Sequence, residues 1–150
     1  MLSINDQAAV HIGPIGSSKV PKKFIKTIED ALQILAKSMR NDAECNASFI
    51  KLSGKKRFRE LFDDPNIWLN YDPDNTGRLW GWVIPAGHPK DVVLSQYTLN
   101  MGRWTVAATI VHELAHLNGA PGAGSHEAEL RVKECRMKSA LGPYEPGVTG

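Results

Sequence analysis

Much of what usually announces a partner is missing from this sequence. No run of about 18 apolar residues occurs, which excludes a membrane-spanning helix and predicts no membrane association. The opening residues, MLSINDQAAVHIGPIG, do not follow the basic-then-apolar order of a secretory leader. The expectation is a chain that is cytoplasmic as synthesised. Charge of one sign is scarce as well: 18 basic against 16 acidic residues leave a net +2. Phosphate binding usually needs a dense basic face, so no nucleic-acid partner is predicted. The richest basic run, KLSGKKRFR from Lys51 to Arg59, reads as the solvated start of a helix. Cysteine is limited to Cys45 and Cys135, too far apart for a zinc ribbon or a redox pair. Two buried thiols are favoured over one long-range disulfide, which would require a compartment outside a reducing cytosol.

What is present suits a single domain over residues 1–150, since 42% hydrophobic content can build a core at this length. Residues 20–40 space Phe24, Ile28, Leu32, Leu35 and Met39 by three and four, the pattern of an amphipathic helix. A short helix over 55–62 follows, with Phe58, Leu61 and Phe62 inward, stopped by Asp63-Asp64-Pro65. Alternation then predicts strands over 67–71, 79–84 and 92–97, punctuated by the turn signals DPDNTG and PAGHP. From 101 to 118 the period turns helical, with Asn100 as N-cap and Gly119 and Pro121 as stop. Ser125 can cap a last helix over 126–141. The order is α+β: an N-terminal helix, a small mixed sheet, a buried helix and a C-terminal helix.

The chemistry lies in His112-Glu113-Leu114-Ala115-His116. Histidines four apart on a helix stand one turn above each other and can bind one metal ion from the same face. Neutral imidazole suits zinc, whose catalytic sites keep one position for water. Glu113 sits on the adjoining surface, where its carboxylate can take a proton from that water as general base. The bare HExxH letters arise by chance about once or twice per hundred such chains, so the surroundings decide. Around them Trp104, Val106, Ala107, Ala108, Ile110, Val111, Leu114, Ala115 and Leu117 cover most of the helix. A single polar stripe remains: Thr105, Thr109, His112 and His116. Histidines on a helix buried all round need partners, which favours the metal over satisfied core histidines.

A third ligand is sought where the last helix begins, in GSHEAE. His126 is the first choice, placed inward with Leu130, Met137 and Leu141. Glu129 is the alternative ligand, or an orienting group behind the histidines. Glu127 is third and reads better as an acid favoured by the helix dipole.

HELAH on a buried helix, after a strand and before a Gly turn, resembles the zincin superfamily of zinc metallopeptidases. The resemblance covers roughly residues 91–141. It implies a cleft between the motif helix and an edge strand that holds substrate backbone extended, lined by 79–84 or 92–97. No subfamily is matched throughout. The metzincin pattern HExxHxxGxxH runs through Gly119 but meets Gly122 at its third ligand position. The aspzincin Gly-Thr-x-Asp has only Gly124-Ser125-His126-Glu127 to compare, and the gluzincin Glu would be Glu129. In size the chain is similar to compact zincin domains of bacterial effector toxins. That likeness implies export by a specialised secretion system, and an inhibitor or immunity protein as a partner.

The leading expectation is therefore a zinc-dependent hydrolase, a peptidase acting on a peptide or protein substrate, with Glu113 as catalytic base and zinc held by His112, His116 and His126. An amidase acting on cell-wall peptide keeps the same chemistry. The competing class is a non-enzymatic module, toxin-like or partner-binding, in which zinc merely staples the C-terminal helices. Tyr144 is a candidate oxyanion donor that reads better as a turn residue. His11 and His88 are expected to be exposed loop residues. Trp80 and Trp82 are taken as core, with a substrate-binding aromatic wall as the minor alternative.

Overall fold

The computed structural model describes residues 1–122 and 125–137. The predicted first helix is α1, Lys22–Ser38, and its Phe24, Ile28, Ala31, Leu32 and Leu35 are buried. Burial of such side chains contributes roughly 1.5–3 kcal/mol each. Pro21 stands at its N-cap, where a missing N–H costs nothing.

Two elements within the first fifty residues escaped the sequence reading. Strand β1 (Ser3–Ile4) is only two residues long. Helix α2 (Ala43–Ile50) starts at Asp42, whose side chain accepts from the Cys45 N–H, and buries Cys45, Ser48 and Phe49. The next helix, α3, shrinks to Phe58–Phe62 with the expected three residues inward.

Strands β2 (Trp68–Asp72), β3 (Gly81–Ile84) and β4 (His88–Ser95) complete a four-stranded sheet in the order β1-β2-β4-β3. The three strands β1, β2 and β4 run parallel, and β3 pairs antiparallel with β4, Gly81 opposite Leu94. The sheet is mixed, as expected. Its edge next to the motif helix is β3. Residues 96–97 leave the predicted third strand to open α4 (Gln96–Met101), where the Ser95 side chain accepts from the Thr98 N–H.

Helix α5 (Arg103–Leu117) carries HELAH. Its start corrects the reading that Asn100 caps a helix from 101. Asn100 lies inside α4, and Gly102 (φ +105°) breaks the run with a backbone conformation open to glycine. Trp104 is 56% exposed, but residues 105–116 are all buried. The helix packs on α1, α4, β3, β4 and α6 (Glu127–Glu134). A helix surrounded on every side explains an apolar sequence on every side.

Cys45 and Cys135 are joined in a disulfide, both fully buried, bridging 90 residues. The preference for two free thiols is thereby corrected. Their proximity follows from α2, which pattern alone did not reveal, lying against α6. On a chain-entropy account a loop this long stabilises the fold by about 4–5 kcal/mol.

Among the described residues, no helix is long and apolar enough to cross a membrane. Leu141 and Tyr144 lie outside the described residues.

Candidate metal centre

His112 and His116 emerge from successive turns of α5 with their Nε2 atoms 3.1 Å apart and their rings nearly perpendicular. Two imidazoles sharing one tetrahedral zinc at 2.0–2.1 Å would place these nitrogens about 3.3 Å apart. His116 Nδ1 lies 2.9 Å from the Ala120 carbonyl oxygen. A carbonyl only accepts, so Nδ1 carries the hydrogen and the Nε2 lone pair of a neutral ring is turned toward His112. The turn after α5 thus does more than end the helix: it sets the tautomer. That turn is anchored by Asn118, which donates to the carbonyls of Phe49 and Lys56 and accepts from the Lys56 N–H.

Glu113 completes the group. Ligand atoms of His112, Glu113 and His116 lie within 4.8 Å of one another, and all three side chains are buried. Among the described residues Glu113 Oε1 has no hydrogen-bond partner. Burial, and secondarily the charge of Glu129, pushes this carboxyl well above its ordinary range. Glu129 is itself 2% exposed, and its Oε1 also lacks a partner among the described residues. Arg131, the buried cation on α6, is paired with Glu127 and Glu134 instead. Two imidazoles and one carboxylate therefore meet on the buried face of α5, in surroundings of high desolvation cost, with Glu129 buried on the neighbouring α6. This donor set fits a divalent cation, which would offset the buried negative charge.

The sequence candidates for the third ligand part here. His126 stands at the N-cap of α6 and is exposed, Glu129 is buried, and neither is in the close group of His112, Glu113 and His116. The inward face of α6 is Ala128, Glu129, Arg131 and Val132, whereas Leu130, expected inward, is 37% exposed. Starting the helix at Glu127 sets that phase. Glu127, with a side chain 49% exposed, pairs with Arg131 at 3.3 Å.

Edge strand β3 crosses α5 at close range. A Cβ on Gly81 would lie 2.8 Å from Thr109 Cγ2 and 3.3 Å from Glu113 Cγ, so only glycine lets the strand approach here. Beside this crossing is a cleft of about 290 Å³ with Glu113 and His116 in its wall and otherwise lined by Leu79, Trp82, Val83, Pro85, Ala120 and Gly122. Trp82 is held by its Nε1–H bond to Asp72 Oδ2, 2.9 Å. Trp80 is core at 3% exposure. Trp80 thus meets the core expectation, whereas Trp82 lines the cleft. A larger hollow of about 410 Å³ between α1 and α5 is lined by exposed Lys37, Arg103 and Trp104 and contains no buried ionisable group.

His11 and His88 are not free loop residues. His11 Nε2 lies 2.7 Å and His88 Nδ1 3.2 Å from the two oxygens of buried Asp91, and His11 stacks on Trp68. No protein-family model matches the chain, and no curated protein or solved structure matches it. The reading of the site rests on its own geometry. Sequence reasoning missed Gly81 and Ala120 and ranked the disulfide second to two free thiols; for Gly81 a glycine within an otherwise strand-like run was the one available signal.

Proposed function

We propose that the chain is a zinc-dependent hydrolase of zincin type, a peptidase acting on extended peptide. The observation that carries this reading is the 3.1 Å approach of His112 and His116 Nε2 on a buried helix, beside a carboxylate with unused acceptor capacity. His112 and His116 would hold the ion, and Glu129 is a better third ligand than His126, because it is buried at the same interface. When bound, zinc supplies Lewis acidity and a water acidified towards a pKa of about 7. Glu113 would serve as the proton carrier, its buried carboxylate accepting a proton from the attacking water and returning it to the leaving amine. Gly81 admits the edge strand, whose free side can pair with substrate backbone. Leu79, Trp82, Val83 and Pro85 give this side of the cleft an apolar wall, which favours an apolar residue beside the scissile amide.

The test is Glu113→Gln assayed on a peptide library with apolar and charged residues at each position. Hydrolysis should fall by about 10²–10⁴-fold with zinc retained; unchanged hydrolysis would overturn the proposed base. One observation favours a second reading. Glu113 and Glu129 are both buried, on the packed helices α5 and α6, so a shift of Glu129 toward the histidines would let all four close around zinc as a staple, with no position for water. In that case no substrate is cleaved, and Glu113→Gln weakens zinc binding.

A further inference from the structure

Most of the basic run 51–59 lies between helices: Lys51 is the C-cap of α2, and α3 begins only at Phe58. Its five cations, Lys51, Lys55, Lys56, Arg57 and Arg59, are all exposed. None of them makes an ion pair among the described residues. The nearby acids are engaged by other groups: Asp63 by Arg40 at 2.6 Å, Asp64 by Lys90, and Glu60 by the Arg57 N–H at 2.6 Å. Like charges on so short a stretch repel one another, so the backbone that gathers them has to be fastened.

The fastening is Asn118. Its amide donates to the Phe49 carbonyl at 3.0 Å and the Lys56 carbonyl at 2.9 Å. Its Oδ1 accepts from the Lys56 N–H at 3.2 Å, and its own carbonyl accepts from the Gly54 N–H at 2.8 Å. A Cβ on Gly54 would lie 2.3 Å from Asn118 Oδ1, and one on Gly119 would lie 2.0 Å from Ser53 Oγ, so the two segments interlock. Between the two bonded residues Lys55 is held at φ +59°, a left-handed conformation that lysine rarely adopts. Such strain persists where the surroundings impose it, and it collects at functional positions. The same turn reaches the cleft. Just beyond Asn118 in the chain, Ala120 and Gly122 stand in the cleft wall with Glu113 and His116. A substrate segment that leaves the cleft over this turn therefore runs toward the basic loop.

We infer that the exposed cations of 51–59 dock an acidic segment of the substrate, a few residues away from the scissile amide. This rests on the peptidase reading above and adds a second determinant of substrate choice. Charge complementarity sets the sign of the partner. The run's own composition sets its class. Its two apolar residues, Leu52 and Phe58, are 4% and 0% exposed, so it offers neither a stacking surface for bases nor an apolar anchor for a lipid surface. A net charge of +2 supplies no wider basic face to follow a phosphate backbone.

The test takes a peptide that zinc-loaded wild type cleaves and extends it, at either end, with a glutamate run or a glutamine run of equal length. At one of the two ends the glutamate form should be cleaved with a kcat/KM about 10-fold higher at low salt, through KM, and the advantage should vanish at high salt. In Lys51→Gln/Lys55→Gln/Lys56→Gln the ratio between the two forms should fall to about 1. A ratio of about 1 at both ends in wild type, or a ratio that the variant keeps, overturns the inference and leaves the peptidase reading standing. Binding gives a readout apart from hydrolysis. A labelled glutamate peptide should bind the Glu113→Gln chain saturably by fluorescence anisotropy, and about 10-fold more weakly once the three lysines are replaced. A single-stranded oligonucleotide or a phosphatidylserine vesicle that binds the same lysines more tightly overturns the choice of partner. Failure of the peptidase reading looks different: zinc-loaded wild type then cleaves no peptide, and both fall.

Discussion

Buried carboxylates meet paired histidines at two places in this molecule, and the two places treat their hydrogen bonds differently. On the sheet, Asp91 accepts from His11, His88 and the Asn70 amide, and the Asn70 oxygen in turn accepts from Asn5. At the α5–α6 interface Glu113 and Glu129 each keep an oxygen without a partner among the described residues. A buried polar network that is satisfied internally specifies structure. Acceptor capacity left over in a buried site is capacity for a ligand. The same residue types thus serve a fastening for residues 5–20 in one place and a candidate metal centre in the other.

The largest expected contrast is in metal binding. His116→Ala should weaken zinc affinity by more than about 100-fold, whereas His88→Ala should leave it unchanged, as isothermal titration would read. Equal losses would erase the distinction between the two sites. Next is Asp91→Ala, which removes the acceptor shared by the Asn70 amide and two imidazoles; urea unfolding should show a loss of about 2–4 kcal/mol with zinc affinity of the folded protein intact. Gly81→Ala pushes β3 away from Thr109 and Glu113 and should cost about 1–3 kcal/mol, with a fall in kcat larger than any rise in KM. Smallest is Glu129→Met in the metal-free protein, which should stabilise it by about 1 kcal/mol by removing an unsatisfied buried carboxylate.

The pH dependence of the metal-free chain sharpens the same point. Burial raises the Glu113 carboxyl well above the ordinary carboxylate range in the fold, so the folded state binds this proton more tightly than the unfolded state does. Wild type should therefore lose stability relative to Glu113→Gln as pH rises above about 4.5, by the linkage relation. A pH-independent difference between the two in thermal unfolding would contradict that assignment.

How much of this was legible depended on whether a residue's role is set by its own helix or by another element. The α5 histidines stand on the only polar stripe of an otherwise apolar segment, so their burial and shared face followed from period alone. The inward face of α1 was legible for the same reason. The burial of the two third-ligand candidates was not, because it depends on whether α6 begins at 126 or 127: His126 is its exposed N-cap and Glu129 lies on the buried face, and a residue or two at a helix start lies beyond pattern reasoning. The disulfide required knowing that α2 exists and packs against α6. Nothing in the spacing of HELAH indicates that Ala120 would fix the His116 tautomer. The edge strand was narrowed to two candidates, and pairing order, a tertiary fact, chose β3.

The central claim is that His112 and His116 hold one zinc ion, and metal analysis of the purified, oxidised protein tests it most directly. The account expects one zinc per chain in wild type, retained in Glu113→Gln and lost in His112→Ala. Folded wild type without zinc after exposure to it, or a His112→Ala protein that keeps its full complement, would contradict the account.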